Sequence, residues 1–99
     1  MSDIDASEAR LRRIRYRAWH RGFREADLIL GPFADRRLDT LSADQLDRLE
    51  RLMDQPDQDL YDWITERSPA PAAFDDEVLA AVRNFRHQAR AARPVGDGA

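Results

Sequence analysis

Apolar residues recur every three or four positions along most of this chain, and this spacing constrains the fold more than any other feature. It gives each of five segments an apolar stripe, the pattern of amphipathic helices that share one core. No useful length of sequence alternates apolar and polar residues as a strand would, and no internal repeat is present. The sequence therefore predicts an all-α fold, a single compact domain of about five short helices.

The composition agrees with one small helical domain. The 99 residues are 42% hydrophobic and 35% charged, with only four glycines and five prolines. High charge with few helix breakers is typical of helices whose outer faces are solvated. We expect a helical domain over residues 7–93, between a flexible N-terminus (residues 1–6) and a flexible C-terminal tail (residues 94–99).

The first two helices are separated by a glycine. The spacing predicts a first helix from Ser7 to Arg21, with Gly22 as its stop because glycine tolerates the left-handed conformation that ends helices. A second helix should begin near Phe23. Because Pro32 has no amide hydrogen to donate, we expect a kink or a break at Gly31-Pro32.

Three later helices have recognisable starts. Ser42 with Gln45 three residues on forms a capping box, flanked by Leu41 and Leu46 as a hydrophobic staple. Asp57 is the expected N-cap of a short fourth helix, and Asp75 that of a fifth, which Phe74 would staple to Leu79. The residues expected in the core are Leu11, Ile14, Ala18, Ala26, Ile29, Leu30, Phe33, Leu46, Leu49, Leu52, Met53, Leu60, Trp63, Ile64, Val78, Val82, Phe85 and Ala89.

The residue types needed for catalysis or for metal binding are missing or badly spaced. The chain has no cysteine, which excludes disulfides, thiolate zinc sites and a cysteine nucleophile. Its two histidines, His20 and His87, lack metal-ligand spacing, and both are best interpreted as surface or interface imidazoles. No glycine-rich phosphate loop is present, and no carboxylate lies in an apolar segment. We therefore predict a protein that is not an enzyme and holds no metal or cofactor stably.

Targeting signals are also missing. The longest apolar stretch, residues 28–34, is far shorter than the roughly 20 residues that span a bilayer. The acidic N-terminus resembles neither a secretory signal nor a transit peptide. We expect a cytoplasmic location.

The charges are segregated along the chain. Residues 1–24 hold seven arginines against three acids, whereas residues 25–66 hold twelve acids against four arginines. Five of the arginines share one face of the first helix: Arg10, Arg13, Arg17, Arg21 and Arg24. This face could bind phosphates in a nucleic-acid-binding or regulatory module, or it could be a solvated face partly neutralised by the acidic middle segment. The net charge of −3 favours the second interpretation, and the first is kept as the alternative function.

The junction Arg21-Gly22-Phe23-Arg24-Glu25 also has two interpretations. The structural one is a helix C-cap followed by an acidic first turn that suits the next helix dipole. The functional one is a compact recognition surface, in which glycine leaves the backbone accessible and opposite charges lie within one turn. Composition alone favours the structural interpretation. A general adaptor with an unrelated partner is a further possibility.

Two blocks of this sequence resemble a known family. Residues 16–30, Tyr-Arg-Ala-Trp-His-Arg-Gly-Phe-Arg-Glu-Ala-Asp-Leu-Ile-Leu, resemble the signature of the succinate dehydrogenase flavinylation factors (the SdhE family), an Arg-Gly-x-x-Glu motif followed by Asp and an apolar run. Residues 56–64 resemble the family's Asp-Pro-Asp-Leu-Tyr-Asp-Trp segment, from which Gln55-Pro56 and Gln58 depart slightly. The resemblance covers about residues 10–90.

The resemblance implies a specific function. Members of this family are compact domains of about five helices that bind the flavoprotein subunit of succinate dehydrogenase, and in some cases of fumarate reductase. They promote the covalent attachment of FAD to a histidine of that subunit. The chain would then act as a monomer that holds its partner in a competent conformation, without holding FAD itself.

The resemblance also implies site residues. Arg21, Gly22 and Glu25 match the motif and are expected at the contact surface, where Arg21 and Glu25 would pair with groups of the partner. Glycine at position 22 would let the two backbones approach closely. The neighbouring residues expected to contribute are Tyr16, Arg24, Asp27 and Trp63.

Overall fold

A computed structural model of the chain describes the backbone of residues 3–91 and the side chains of residues 6–91. Within this range the chain forms five α-helices and no strand, which confirms the predicted all-α fold. The helices are α1 (Asp3–Trp19), α2 (Arg24–Arg37), α3 (Ala43–Met53), α4 (Asp57–Ile64) and α5 (Glu77–Ala91), and a 3₁₀ turn (Leu38–Thr40) follows α2. None of the described helices is both long and apolar enough to cross a membrane.

One hydrophobic core joins all five helices. The buried side chains are Ile14, Ala18, Ala26, Leu30, Phe33, Ala34, Leu38, Leu49, Leu52, Met53, Leu60, Trp63, Ile64, Val78, Leu79, Val82 and Phe85. Of the residues predicted to be in the core, Leu11, Ile29 and Leu46 pack partly buried against this cluster. Ala89 was predicted wrongly and is exposed, because it lies near the end of α5, beyond the last core contact at Phe85.

The ends of α1 differ from the prediction. The helix begins at Asp3, four residues before the predicted Ser7, because no glycine or proline in residues 3–6 stops it from extending by a turn. It ends at Trp19, two residues before Arg21. Residues 1–2 and 92–99, which include the tail predicted from residue 94, lie outside the described residues.

Helix α2 continues through Gly31 and Pro32, so of the kink or break predicted there the break does not occur. Proline inside a helix costs about 3 kcal/mol, so other interactions must offset that cost. The residues around it supply them, because Leu30, Gly31 and Phe33 are buried. Gly31 lies directly against the indole ring of Trp19 on α1, in a space that admits no side chain.

The start of α3 confirms the predicted capping box. The Ser42 hydroxyl accepts a hydrogen bond from the Gln45 amide at 3.1 Å, and the Gln45 side-chain oxygen accepts one from the Ser42 amide at 2.9 Å. Both exchanges satisfy amides that the first turn of a helix leaves unpaired. Leu41 and Leu46 are partly buried against the core.

The other two predicted caps are wrong by one residue. Pro56 is the N-cap of α4, and Asp57 is its first helical residue. At α5 the capping carboxylate belongs to Asp76, which accepts hydrogen bonds from the amides of Val78 and Leu79 at 3.0 and 3.1 Å. Two adjacent residues are candidates for each cap, Pro56 and Asp57 at α4 and Asp75 and Asp76 at α5. Contacts with other parts of the chain determine which of the two caps the helix.

The contact between Gly31 and Trp19 gives a stability prediction. Gly31→Ala should lower the free energy of unfolding by about 1–3 kcal/mol, because the added methyl group overlaps the indole ring. Urea denaturation measures this change. In a Trp19→Ala background the same substitution should be neutral or stabilising by up to about 1 kcal/mol, since alanine is then only the better helix former. An equal loss in both backgrounds would contradict the packing explanation.

Candidate functional site

The turn between α1 and α2 spans residues 20–23 and depends on glycine. Gly22 has a φ of +88°, in the left-handed region that side chains rarely adopt. A Cβ atom built at this position would meet no atom of the chain within 4 Å. Glycine is therefore required by the backbone conformation, and the space beside it is open.

Arg21 bridges this turn to the junction of α3 and α4. Its Nε atom donates to Oδ1 of Asp57 at 2.8 Å, and its Nη2 atom lies 2.7 Å from the same oxygen in an ion pair. Nη1 donates to the carbonyl oxygen of Met53 at 2.5 Å, and Nη2 donates to that of Gln55 at 2.8 Å. The side chain is only 9% exposed. The sequence predicted that Arg21 pairs with a partner group, but its guanidinium is committed within the chain and positions α4 beside the turn.

The side chain of Asp57 explains why it does not cap α4. A capping carboxylate turns back to the free amides of its own helix. The carboxylate of Asp57 instead accepts a hydrogen bond from Nε of Arg21 and forms an ion pair with its Nη2. The ion pair thus replaces the cap, and it joins the two sequence blocks that carry the family resemblance.

One further contact stabilises the turn, and another joins it to the second block. Asp27 is partly buried, and its Oδ1 accepts a hydrogen bond from the Arg21 amide at 3.2 Å. The rings of Phe23 and Tyr61 pack with their centroids 5.4 Å apart. Asp27 therefore stabilises the turn from inside, while Phe23 anchors its far end to α4.

An aromatic pair lies on the α1 side of the turn. Tyr16 is 64% exposed and stacks on His20, with ring centroids 4.2 Å apart and an interplanar angle of 17°. His20 Nδ1 donates to the carbonyl oxygen of Tyr16 at 2.8 Å. Because that hydrogen bond fixes the imidazole, the pair presents a rigid aromatic surface at low entropic cost on binding. His20 was not among the predicted site residues, although its i, i+4 spacing from Tyr16 on one helix face was a usable signal.

On the α2 side of the turn, two charged residues are exposed. Arg24 and Glu25 begin α2, and within residues 6–91 neither forms an ion pair or a side-chain hydrogen bond. Because both side chains are exposed and unpaired in the described part of the chain, their charges are available to a partner. We use the name turn surface for Tyr16, His20, Gly22, Arg24 and Glu25, which surround the turn and are all exposed.

Trp63, another predicted contact residue, is turned away from the solvent. Its side chain is 8% exposed and stacks on Phe74 at 5.4 Å. Its carbonyl oxygen accepts a hydrogen bond from Nε of Arg83 at 2.8 Å. An indole buried in the core supports α4 and α5 and has no face to offer to another protein. Of the seven predicted residues, the structure thus exposes Tyr16, Gly22, Arg24 and Glu25 and turns Arg21, Asp27 and Trp63 inward.

The arginine face of α1 is neutralised by acids of the middle segment. Arg10 pairs with Glu50 at 2.9 Å and with Asp47 at 2.5 Å, and Arg17 pairs with Asp54 at 2.5 Å. Hydrogen bonds to Glu50 and Asp47 raise the pKa of Arg10 above its ordinary value. The sequence left two interpretations of this face, a phosphate-binding surface and a solvated face partly neutralised by acids. The ion pairs support the second. Among the residues that the structure describes, no group of three or more His, Asp or Glu side chains could hold a metal ion.

Comparisons with known proteins identify similar chains. A family model described as flavinator of succinate dehydrogenase matches residues 12–86. The FAD assembly factor SdhE of Acetobacter pasteurianus is 40% identical over 67 residues, which cover 68% of this chain and 62% of that protein. The mitochondrial succinate dehydrogenase assembly factor 2 of Mycosarcoma maydis is 41% identical over 72 residues, covering 73% of this chain and 30% of that protein. The chain spans less than two thirds of each of these relatives.

Two paired arginines, Arg21 in the turn and Arg17 on α1, give a stability prediction. Arg21→Ala should lower the free energy of unfolding by about 2–3 kcal/mol, because it leaves two carbonyl oxygens and the Asp57 carboxylate without their donor. Arg17→Ala is the matched control and should cost no more than about 1 kcal/mol, because the Arg17–Asp54 pair is exposed. Chemical denaturation measures both. Equal losses would mean that Arg21 does not hold α4 in place.

Proposed function

This chain belongs to the family of flavinators of succinate dehydrogenase, and from this premise we propose that it promotes the covalent attachment of FAD to the flavoprotein subunit of that enzyme. Its relatives are named assembly factors, in agreement with the prediction that the chain is not itself an enzyme. The flavoprotein subunit of fumarate reductase is a second client suggested by the sequence resemblance. The chain would act as a monomer and hold no FAD of its own.

One observation carries the proposal. The two blocks that resemble the family are distant in sequence, and direct contacts join them: Arg21 to Asp57, and Phe23 to Tyr61. The same contacts leave the rest of the Arg-Gly-x-x-Glu motif at the surface. Arg24 and Glu25 are exposed and have no partner among the described residues, so both charges are available to another protein.

The proposed mechanism is conformational. The bond between flavin and histidine would form inside the partner, because this sequence has no glycine-rich loop for a dinucleotide phosphate. By binding one arrangement of the flavoprotein more tightly than others, the chain raises the population in which histidine and flavin are correctly oriented. Orientation of two reacting groups can lower a barrier by several kcal/mol.

Four residues of the turn surface and the neighbouring Arg21 have distinct parts in this proposal. Arg24 and Glu25 pair with opposite charges of the partner, and Tyr16 contributes apolar contact area, as aromatic residues do at the centres of interfaces. Gly22 allows a close approach of the two backbones. Arg21 is a positioning residue, which replaces the partner pairing expected from the sequence.

Nucleic-acid binding, the alternative function, has less support. Three of the five arginines that define the basic face of α1 are paired with acids of the same chain: Arg10, Arg17 and Arg21. A phosphate would have to displace those carboxylates, and the chain as a whole is acidic. Absence of binding to DNA or RNA at low salt would remove this alternative.

The charge of Glu25 gives the first functional prediction. When co-expressed with the flavoprotein subunit, Glu25→Ala should reduce covalent flavin, measured by in-gel fluorescence, tenfold or more, since truncating one member of an interfacial charge pair costs about 2–5 kcal/mol. Glu8→Ala is the matched control, because Glu8 is also an exposed glutamate of a helix. If both variants gave wild-type fluorescence, the turn surface would not be the docking site.

Gly22 allows the fold and the interface to be tested separately. Gly22→Asn should lower the free energy of unfolding by only about 1 kcal/mol, since asparagine tolerates the left-handed conformation and no atom of the chain occupies the space. Covalent flavin and co-purification of the flavoprotein should nevertheless fall several-fold, because the side chain would separate the two backbones. A variant that folds and flavinylates normally would show that close approach at Gly22 is not needed.

A further inference from the structure

A groove lies between α2 and α5. It has a volume of about 520 Å³ and is apolar along α2, where Leu28, Ile29 and Pro32 line it. Three arginines also line it: Arg36 from α2, and Arg86 and Arg90 from α5. We call this region the arginine groove.

The arginines of the groove differ from Arg10 and Arg17 of α1. Within residues 6–91, Arg36, Arg86 and Arg90 form no ion pair and no side-chain hydrogen bond, whereas Arg10 and Arg17 are paired with acids. Three unpaired cations side by side repel one another, and this cost is relieved when carboxylates bind between them. The charge pattern therefore fits an acidic occupant.

The apolar lining adds a second requirement. Leu28 is 57% exposed, one of the few large apolar side chains that the fold leaves in solvent. It lies one helical turn after Arg24 and Glu25, so the groove begins where the turn surface ends. An occupant that contacts the turn surface can continue into the groove without crossing another part of the chain.

The geometry points to an amphipathic helix with acidic flanks, belonging to the flavoprotein partner, as the occupant of the arginine groove. This inference rests on the proposed function. Where two helices form the walls of an apolar groove, a third helix can bind in it through apolar residues spaced at i, i+3, i+4 and i+7. Apolar residues of that helix lie on Leu28, Ile29 and Pro32, and its flanking carboxylates pair with the three arginines. A nucleic acid fits less well, because three arginines neutralise few phosphates and an apolar floor would desolvate them.

The test measures affinity for the purified flavoprotein subunit by titration calorimetry. Arg86→Glu/Arg90→Glu should weaken binding about tenfold or more, because it replaces two attractive charges with repulsive ones. Leu28→Ser should weaken binding about tenfold through the loss of apolar contact. Since all three side chains are at least partly exposed, the circular dichroism spectra and thermal midpoints of the variants should match those of the wild type.

The matched control is Arg12→Glu/Arg51→Glu. Both residues are exposed and form no ion pair in the described part of the chain. The two substitutions change the net charge by the same amount as those of the groove variant. The control should bind within about threefold of the wild type, because exposed charges outside an interface act only through screened long-range forces.

The outcomes separate the inference from the proposed function. Groove variants that bind weakly while the control binds normally support the inference. If the groove variants and the control bind equally weakly, or if all of them bind as tightly as the wild type, the inference is overturned while the proposed function stands. Loss of RNA or DNA binding at low salt in the groove variant, with flavoprotein binding unchanged, also overturns it and assigns the groove to nucleic acid. If the wild-type chain does not bind the flavoprotein subunit at all, the proposed function fails and the inference fails with it.

Discussion

The guanidinium group of Arg21 bonds to the end of α3, to the residue before Pro56 and to the start of α4, while the Arg21 amide donates to Asp27 on α2. Unpaired carbonyl oxygens at a helix end carry partial negative charge, so a cation is the fitting partner there. A buried guanidinium without these acceptors would be strongly unfavourable. The relative positions of the turn, α3 and α4 therefore depend strongly on this side chain, together with the contact between Phe23 and Tyr61.

This arrangement divides a short motif into an inner and an outer part. Arg21 and Asp27 face inward and fix the backbone of the turn, whereas Arg24 and Glu25 face outward without partners in the described chain. Because the outer charges are carried by a turn that is already held, binding does not require the turn to become ordered. The proposed assembly factor would thus present a rigid surface to its partner.

Local signals in the sequence predicted much of the fold and part of the site. The Ser42–Gln45 capping box, the left-handed Gly22 and the spacing of the apolar stripes are set by residues within one or two turns, so they were predicted correctly. The cap expected at Asp57 and the break allowed at Pro32 are both absent, because long-range contacts decide them. Trp63 was placed correctly in the core, and that burial argues against the partner contact also expected of it. Asp57 pairs with an arginine 36 residues away, Pro32 is tolerated because neighbouring residues are buried, and Trp63 is hidden by a stacked phenylalanine. Sequence periodicity places a residue on a helix face, but it does not say which element covers that face.

The central claim is that the turn surface contacts the flavoprotein subunit. Hydrogen–deuterium exchange on the chain, with and without the purified flavoprotein subunit, tests it without any substitution. We predict that binding slows exchange in residues 20–28 while the exposed face of α3, which carries Asp44 and Arg51, exchanges as in the free chain. Protection confined to α3, or no protection at Gly22 and Glu25 in a complex that forms, would contradict the claim.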